Sequence, residues 1–86
     1  MAKVTIRYWA AAKEAAGEAH ETVEAGTLAG ALAAVLEPRG GNDRLRAVLA
    51  RSSFLIDGAP AGSRPAGEIT LRNGAVIEVL PPFAGG

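Results

Sequence analysis

The chain has 86 residues and contains no cysteine. This absence excludes disulfides, cysteine-ligated metal sites and thiol nucleophiles, so the fold depends on apolar packing. No apolar stretch approaches the ~18 residues that a membrane span requires. The N-terminus alternates charged and apolar residues and does not resemble a signal peptide. We therefore expect one small domain, located in the cytoplasm.

The chain also lacks an excess of either charge. Nine basic and nine acidic residues cancel, and lysine and arginine form no run. Nucleic-acid binding and attachment to an anionic membrane both require a concentration of positive charge. We therefore expect neither nucleic acid nor a membrane among the partners.

Side chains that carry chemistry are scarce and isolated. His20 is the single histidine and has no second ligand or base at a useful spacing. Ser52 and Ser53 have no base or acid partner nearby. Glu37 and Asp43 flank a predicted helix break, where acidic residues suit helix ends. The pattern predicts no metal site and no active site made of side chains.

Two strands are predicted near the N-terminus. Residues 3–9 alternate strictly, with Val4, Ile6 and Tyr8 on one face, and residues 19–24 alternate more weakly. Residues 10–17 between them indicate a helical turn or a loop that ends at Gly17. We expect the two strands to pair antiparallel, with Trp9 at the rim of the core rather than in an interface.

The strongest helix signal begins after Thr27, a good N-cap residue. One helical face carries the apolar residues Leu28, Leu32, Val35 and Leu36, and Pro38 ends the helix. Asn42 is placed to cap a second, shorter helix. Two further strands are expected at residues 53–57 and 75–80, separated by a loop at 59–68 and a short strand or helical turn at 69–71.

This order of elements predicts an α+β fold. The first and last strands are expected side by side at the centre of a mixed sheet. The main helix crosses one face and packs on Val4, Ile6, Ile77 and Val79. We divide the chain into a domain at residues 1–80 and an extended tail at residues 81–86.

The tail, PPFAGG, follows directly after a predicted strand. Pro81 and Pro82 donate no backbone hydrogen bond and fix φ, so they end the sheet and form a stiff spacer. Leu80 and Phe83 are the apolar groups expected to contact a partner, together with the two prolines. Fully extended, the six residues reach about 20 Å.

The last three residues carry almost no side-chain bulk. Ala84, Gly85 and Gly86 are therefore suited to threading through a narrow channel of another protein. With no other reactive group in a suitable setting, the Gly86 carboxylate is the predicted reactive centre. An accidental, frayed end is the other interpretation.

The segment LRNGAVIEVLPPFAGG, residues 71–86, resembles the C-terminal signature of the small subunit of molybdopterin synthase, of the MoaD/ThiS sulfur-carrier family. The N-terminal VTIRYWAAAKEAAG is similar to that family's opening strand and small helix. The sequence departs from the pattern at Ala75, where Asp is frequent, and at Phe83, where Val is common. The resemblance implies a ubiquitin-like β-grasp fold.

The resemblance also implies a function in molybdenum cofactor biosynthesis. An adenylating, E1-like enzyme activates the Gly86 carboxylate with ATP, and a sulfur donor converts it to a thiocarboxylate. The protein then delivers sulfur in a heterotetramer with the large subunit of molybdopterin synthase, which supplies the catalytic residues. The small subunit is not catalytic alone and holds no permanent cofactor.

Three alternatives stay open. A sulfur carrier of the same fold for cysteine or thiamine-thiazole biosynthesis is the nearest, although thiazole carriers usually lack the Pro81-Pro82 step. A ubiquitin-like modifier joined to lysines through Gly86 is the second. An interaction module with an inert tail is the third.

Overall fold

The computed structural model describes residues 1–82 of the chain. Five strands and three helices make up this part: β1 (Ala2–Tyr8), α1 (Ala10–Ala16), β2 (His20–Ala25), α2 (Leu28–Leu36), α3 (Asp43–Arg51), β3 (Ser53–Ile56), β4 (Ala59–Pro60) and β5 (Val76–Leu80). Two 3-10 turns lie at Glu37–Arg39 and Ala66–Glu68. In the described residues no helix has the length and apolar character needed to cross a bilayer.

The strands form one mixed sheet in the order β2-β1-β5-β3-β4. β1 and β5 are parallel neighbours, with Ile6 opposite Ile77, and the other strand pairs are antiparallel. The prediction that the first and last strands lie together inside the sheet is confirmed. With α2 packed across one face, this is the ubiquitin-like β-grasp arrangement.

The core lies between the sheet and the helices. The central strands contribute Val4, Ile6, Ile77 and Val79, each at most 1% exposed. Burial of such a side chain is worth about 1.5–3 kcal/mol. On α2, the predicted Leu28 and Val35 are buried, Leu32 and Leu36 are half-buried, and Ala31 is also fully buried.

Both predicted helix caps are confirmed. The Thr27 hydroxyl accepts a hydrogen bond from the Gly30 amide at 3.1 Å, and the Asn42 side chain accepts one from the Leu45 amide at 3.1 Å. Each bond satisfies an amide that has no partner inside the first turn of its helix. α3 then buries Leu45, Val48 and Leu49.

The prediction of a loop at residues 59–68 is wrong in two places. Asp57 and Gly58 both have positive φ, at 52° and 84°, which makes a tight turn and returns Ala59 to pair with Ile56 in β4. A two-residue strand is too short to show alternation. The 3-10 turn Ala66–Glu68 adds further structure, and the next segment contains only a single bridge, between Thr70 and Thr27.

Arg39 joins the helices to the sheet. Its guanidinium donates to the last carbonyls of two helices, Ala16 at 3.1 Å and Val35 at 2.5 Å. It also pairs with Glu21 at 2.7 Å, and the same Glu21 oxygen accepts a 2.6 Å hydrogen bond from the Tyr8 hydroxyl. A cation near helix C-termini is favourable, and here it connects α1, α2, β1 and β2.

We predict that this network makes the protein sensitive to alkali. Burial, and next the hydrogen bond to Glu21, raises the pKa of Tyr8 far above its ordinary value near 10. The unfolded chain loses this proton from pH ~10 upward while the folded chain keeps it, so folding becomes less stable as the pH rises further. Denaturant titrations at increasing alkaline pH measure this loss.

Tyr8→Phe is the matched control, because it removes the titrating group and keeps the ring. Its stability should fall less steeply with alkaline pH than that of the wild type. The chain holds one tyrosine, so tyrosinate absorbance reports on Tyr8 alone. Appearance of tyrosinate in the folded protein near pH 10 would contradict the prediction.

Candidate functional site

The C-terminal end of β5 is where the predicted tail leaves the domain. Leu80 is half-buried in the last residue of the strand, Pro81 is buried, and Pro82 is exposed. The exposed part of the predicted spacer therefore begins at Pro82 within the described residues. The predicted tail residues Phe83, Ala84, Gly85 and Gly86 lie outside the described residues.

Backbone pairing holds the base of the tail in place. Leu80 lies opposite Ser53 of β3, and Val79 lies opposite both Phe54 of β3 and Tyr8 of β1. β5 therefore has a partner on each side almost to its end. Pro81 has no amide hydrogen to continue this ladder, which explains why the strand ends at Leu80.

A polar and aromatic cluster lies beside this end of the sheet, on the face away from the helices. Arg7 and Glu78 are neighbours in the parallel register of β1 and β5. The Trp9 indole nitrogen donates to a Glu78 carboxylate oxygen at 3.1 Å, and the Arg7 guanidinium carbon lies 5.4 Å from the centre of the Trp9 ring. The charges of Arg7 and Glu78 cancel locally, and together they hold the indole ring in place.

Apolar side chains adjoin this cluster. Leu55 is opposite Glu78 in the antiparallel register of β3 and β5, so both lie on the open face. Leu80, two residues beyond Glu78, lies on the same face. We call Arg7, Trp9, Leu55, Glu78 and Leu80 the terminal patch. It combines an aromatic group and two leucines with a balanced charge pair, a composition typical of interfaces.

Trp9 is the most exposed apolar member of the terminal patch. It is 44% exposed, and within residues 1–82 the only other large apolar residue so exposed is Met1. The chain turns sharply after it, because Ala10 has a positive φ of 48°. Trp9 therefore lies outside the core, beside the base of the tail. This position favours the interface interpretation over the core rim that we predicted.

The isolated polar side chains remain apart in the structure. His20 is exposed in the edge strand β2, opposite Arg7 of β1, and has no second ligand or base beside it within the part of the chain that the structure describes. The Ser52 hydroxyl donates to the Val48 carbonyl at 2.7 Å, a bond that ends α3. Across residues 1–82, no group of three or more His, Cys, Asp or Glu side chains is placed to hold a metal ion.

Sequence reasoning missed most of the terminal patch. Only Leu80 was predicted as a partner-binding residue. The alternation of β1 did place Arg7 on the polar face, and that same alternation continues to Trp9. The alternation does not reveal which residue lies beside Arg7 and Trp9 on the next strand, because Glu78 is about seventy positions away in the chain.

The chain is similar to a known protein family in its sequence and to solved structures in its fold. The model of the ThiS family matches residues 6–86. No curated protein sequence matches the chain significantly. The solution structure of small archaeal modifier protein 1 from Methanosarcina acetivorans has a TM-score of 0.82 at 22% identity, covering 100% of this chain and 98% of that one.

Two further solved structures of similar fold are named as molybdopterin converting factor subunits. A putative molybdopterin converting factor subunit 1 from Pyrococcus furiosus has a TM-score of 0.74 at 17% identity, with 96% of this chain and 100% of that chain covered. A complex of subunits 1 and 2 of the molybdopterin-converting factor from Helicobacter pylori gives 0.67 at 24% identity, covering 98% and 99%. At these identities the likeness shows the fold, which is the ubiquitin-like β-grasp.

We predict that the terminal glycines contribute almost nothing to folding, whereas Pro81 contributes measurably. Gly85 and Gly86 have no side chains to bury. Pro81 is buried and restricts the unfolded chain, so Pro81→Gly should cost about 1–2 kcal/mol. Thermal and denaturant unfolding measure both changes. A large fall in melting temperature on deletion of Gly85-Gly86 would show that the tail belongs to the folded domain.

Proposed function

We propose that this chain, which belongs to the ThiS family, is a sulfur carrier that delivers sulfur as a thiocarboxylate on Gly86. We further propose that it is the small subunit of a molybdopterin synthase. The observation that carries the proposal is the C-terminal PPFAGG directly after the central strand β5, within a family match that extends to Gly86.

The chemistry needs an activating enzyme. A free C-terminal carboxyl has a pKa near ~3.5, so at neutral pH it is an anion and a poor electrophile. A carboxylate oxygen attacks the α-phosphorus of ATP, pyrophosphate leaves, and an acyl-adenylate forms. Hydrosulfide released by a sulfur donor then attacks the acyl carbon and AMP leaves, which produces the thiocarboxylate with no change of oxidation state. ATP is used by the activating enzyme and is not a cofactor of this chain.

The residues of this chain position the reactive group and do not activate it. β5 lies between β1 and β3, which gives the tail a rigid base. Pro82 continues from the buried Pro81 as a stiff spacer. Ala84, Gly85 and Gly86 add little bulk, so the terminus fits a narrow channel. A protein without cysteine carries sulfur in this way without a thiol of its own.

The terminal patch provides the surface for partners. An exposed Trp9 and a half-buried Leu80 beside the tail can bind a protein while the tail enters its active site. Successive partners on this surface are the adenylating enzyme and the large subunit of the synthase, in a heterotetramer. The Helicobacter pylori structure of similar fold is itself a complex of subunits 1 and 2, which supports a large-subunit partner.

A ubiquitin-like protein modifier is the second candidate function. The observation in its favour is the likeness to small archaeal modifier protein 1, at a TM-score of 0.82 against 0.74 for the molybdopterin converting factor subunit. The same acyl-adenylate serves both functions. In a modifier, a lysine amine of a target attacks the activated Gly86 and forms an isopeptide bond. A carrier for cysteine or thiamine-thiazole biosynthesis would use the same terminal thiocarboxylate with another acceptor.

We predict that untagged protein from cells with an active pathway contains molecules heavier by the sulfur–oxygen mass difference. The reason is that sulfur replaces one oxygen of the terminal carboxylate, so the change should map to Gly86 in fragment spectra. Only unmodified carboxylate in such cells would contradict a sulfur carrier. Isopeptide conjugates of Gly86 with lysines of other proteins would instead establish the modifier.

Gly85→Val is the matched variant for this measurement. It keeps the terminal carboxylate but adds a branched side chain and restricts the backbone at that position. We expect this variant to fold normally and to carry little or no sulfur. A normal sulfur content would show that the tail does not pass through a tight channel.

We predict that the terminal patch and the tail residue Phe83 supply binding energy for the large subunit. Trp9→Ala, Leu80→Ala and Phe83→Ala should each weaken the association by about 1–3 kcal/mol, a range typical of buried anchors. Titration calorimetry with the purified large subunit measures the loss. Glu68→Ala, an exposed change beside the start of α2 and away from the end of β5, is the control and should bind as the wild type does. Wild-type affinity in the Trp9 variant would remove Trp9 from the interface.

A further inference from the structure

The outer side of β2 is a free strand edge. β2 is the first strand of the order β2-β1-β5-β3-β4, and it runs over six residues, His20–Ala25. The opposite edge, β4, has only two residues, one of them Pro60. In residues 1–82, β2 is therefore the one long row of backbone groups without a neighbouring strand, which is a template for pairing with another chain.

The residues whose backbone faces outward can be identified from the ladder. The Tyr8 amide donates to the Ala19 carbonyl at 2.8 Å, and Tyr8 continues the register in which Ile6 lies opposite Glu21. Hydrogen-bonded pairs alternate along an antiparallel ladder. Glu21 and Val23 therefore bond to β1, whereas three residues direct their N–H and C=O groups outward: His20, Thr22 and Glu24.

The side chains of these same three residues form a symmetric pattern. All three are exposed, and all lie on the open face, opposite Arg7, Thr5 and Lys3 of β1. Read along the strand, they are a base, a neutral hydroxyl and an acid at equal spacing. Reversing the direction of the strand about Thr22 exchanges the base with the acid.

We infer that two copies of this chain pair through their β2 edges, antiparallel, about a two-fold axis at Thr22. In this register His20 of each copy lies opposite Glu24 of the other, and the two Thr22 residues lie opposite each other. Each such pair exchanges two backbone hydrogen bonds, and the two sheets become continuous. A histidine opposite a carboxylate can donate a hydrogen bond to it, and threonine pairs are favourable cross-strand neighbours.

The charges also discriminate between registers. Charged side chains on an edge normally prevent pairing. Moving the axis to Glu24 places two Glu24 side chains opposite each other, and moving it to Glu21 places Glu24 opposite Glu18. Both contacts are repulsive. The two-fold register at Thr22 is the one that places each Glu24 carboxylate opposite a His20 imidazole.

The other face of β2 is compatible with this pairing. Glu21 lies opposite Val23 of the second copy, but its carboxylate is already bonded to Tyr8 and Arg39 within its own chain. Val23 is half-buried and becomes further covered. Because β1 separates β2 from β5, the pairing leaves the end of β5 and the tail free for other partners.

Sedimentation equilibrium of the purified full-length chain over a range of concentrations tests the inference. We expect a reversible dimer in the wild type. His20→Glu replaces both His20–Glu24 pairs by pairs of two carboxylates. Each favourable pair lost and each repulsive pair gained costs about 0.2–1 kcal/mol, so the dissociation constant should rise about tenfold or more. The double variant His20→Glu with Glu24→His restores a histidine opposite each carboxylate and should restore the dimer. Glu68→His, a charge change outside β2, is the control and should dimerise as the wild type does.

Thr22→Pro tests the backbone part of the interface. It removes an outward N–H that β1 does not use, so the monomer should still fold with a cooperative melt, whereas the dimer should be lost. Amide exchange of His20, Thr22 and Glu24 should slow as the wild-type concentration rises. A monomer at all concentrations would overturn the inference. So would a dimer that persists in both Thr22→Pro and His20→Glu, since it would use another surface.

Discussion

The parallel pairing of β1 with β5 is the constraint on which the rest of this structure depends. It brings the two ends of the described chain together at the centre of the sheet, with Ile6 opposite Ile77. Everything between them then has to cross over or flank this pair, and α2 packs on the buried face that the two strands share. Because β5 is an inner strand, the residues before the tail are paired on both sides.

The same pairing places the proposed binding surface, the terminal patch, beside the strand from which the proposed reactive tail continues. Parallel strands end at the same edge, so Trp9 after β1 comes to lie beside Glu78 and Leu80 of β5. The terminal patch offers shape and apolar contact, while the proposed reactive carboxylate belongs to a tail with almost no side chains. In the function that we propose, the partner that binds the patch supplies the chemistry at the terminus, and this chain supplies the positioned carboxylate.

The polar network around Arg39 lies on the other face of the sheet, which the helices cover. Arg39 satisfies the carbonyl ends of α1 and α2 and is neutralised by Glu21, which also accepts from Tyr8. Among residues 1–82 no buried side-chain nitrogen or oxygen lacks a hydrogen-bond partner. This network stabilises the β1–β2 side, and the edge of β2 beyond it presents His20, Thr22 and Glu24, through which we infer that two copies associate.

Local patterns in the sequence are sufficient for much of this protein. Alternation in residues 3–9 and 75–80, the Thr27 and Asn42 caps, and the spacing of Leu28 and Val35 indicate the elements and the buried faces, because these signals arise from neighbours within a few positions. The PPFAGG ending likewise suggests that the Gly86 carboxylate is the reactive group, because the prolines and the small residues alone indicate a stiff, slim tail. Three features became known only from the tertiary structure: the strand β4, the partners of Arg39, and the membership of the terminal patch. Trp9 with Glu78 and Arg39 with Glu21 are distant in the chain, and contacts of that kind exist only after the strands and helices have packed.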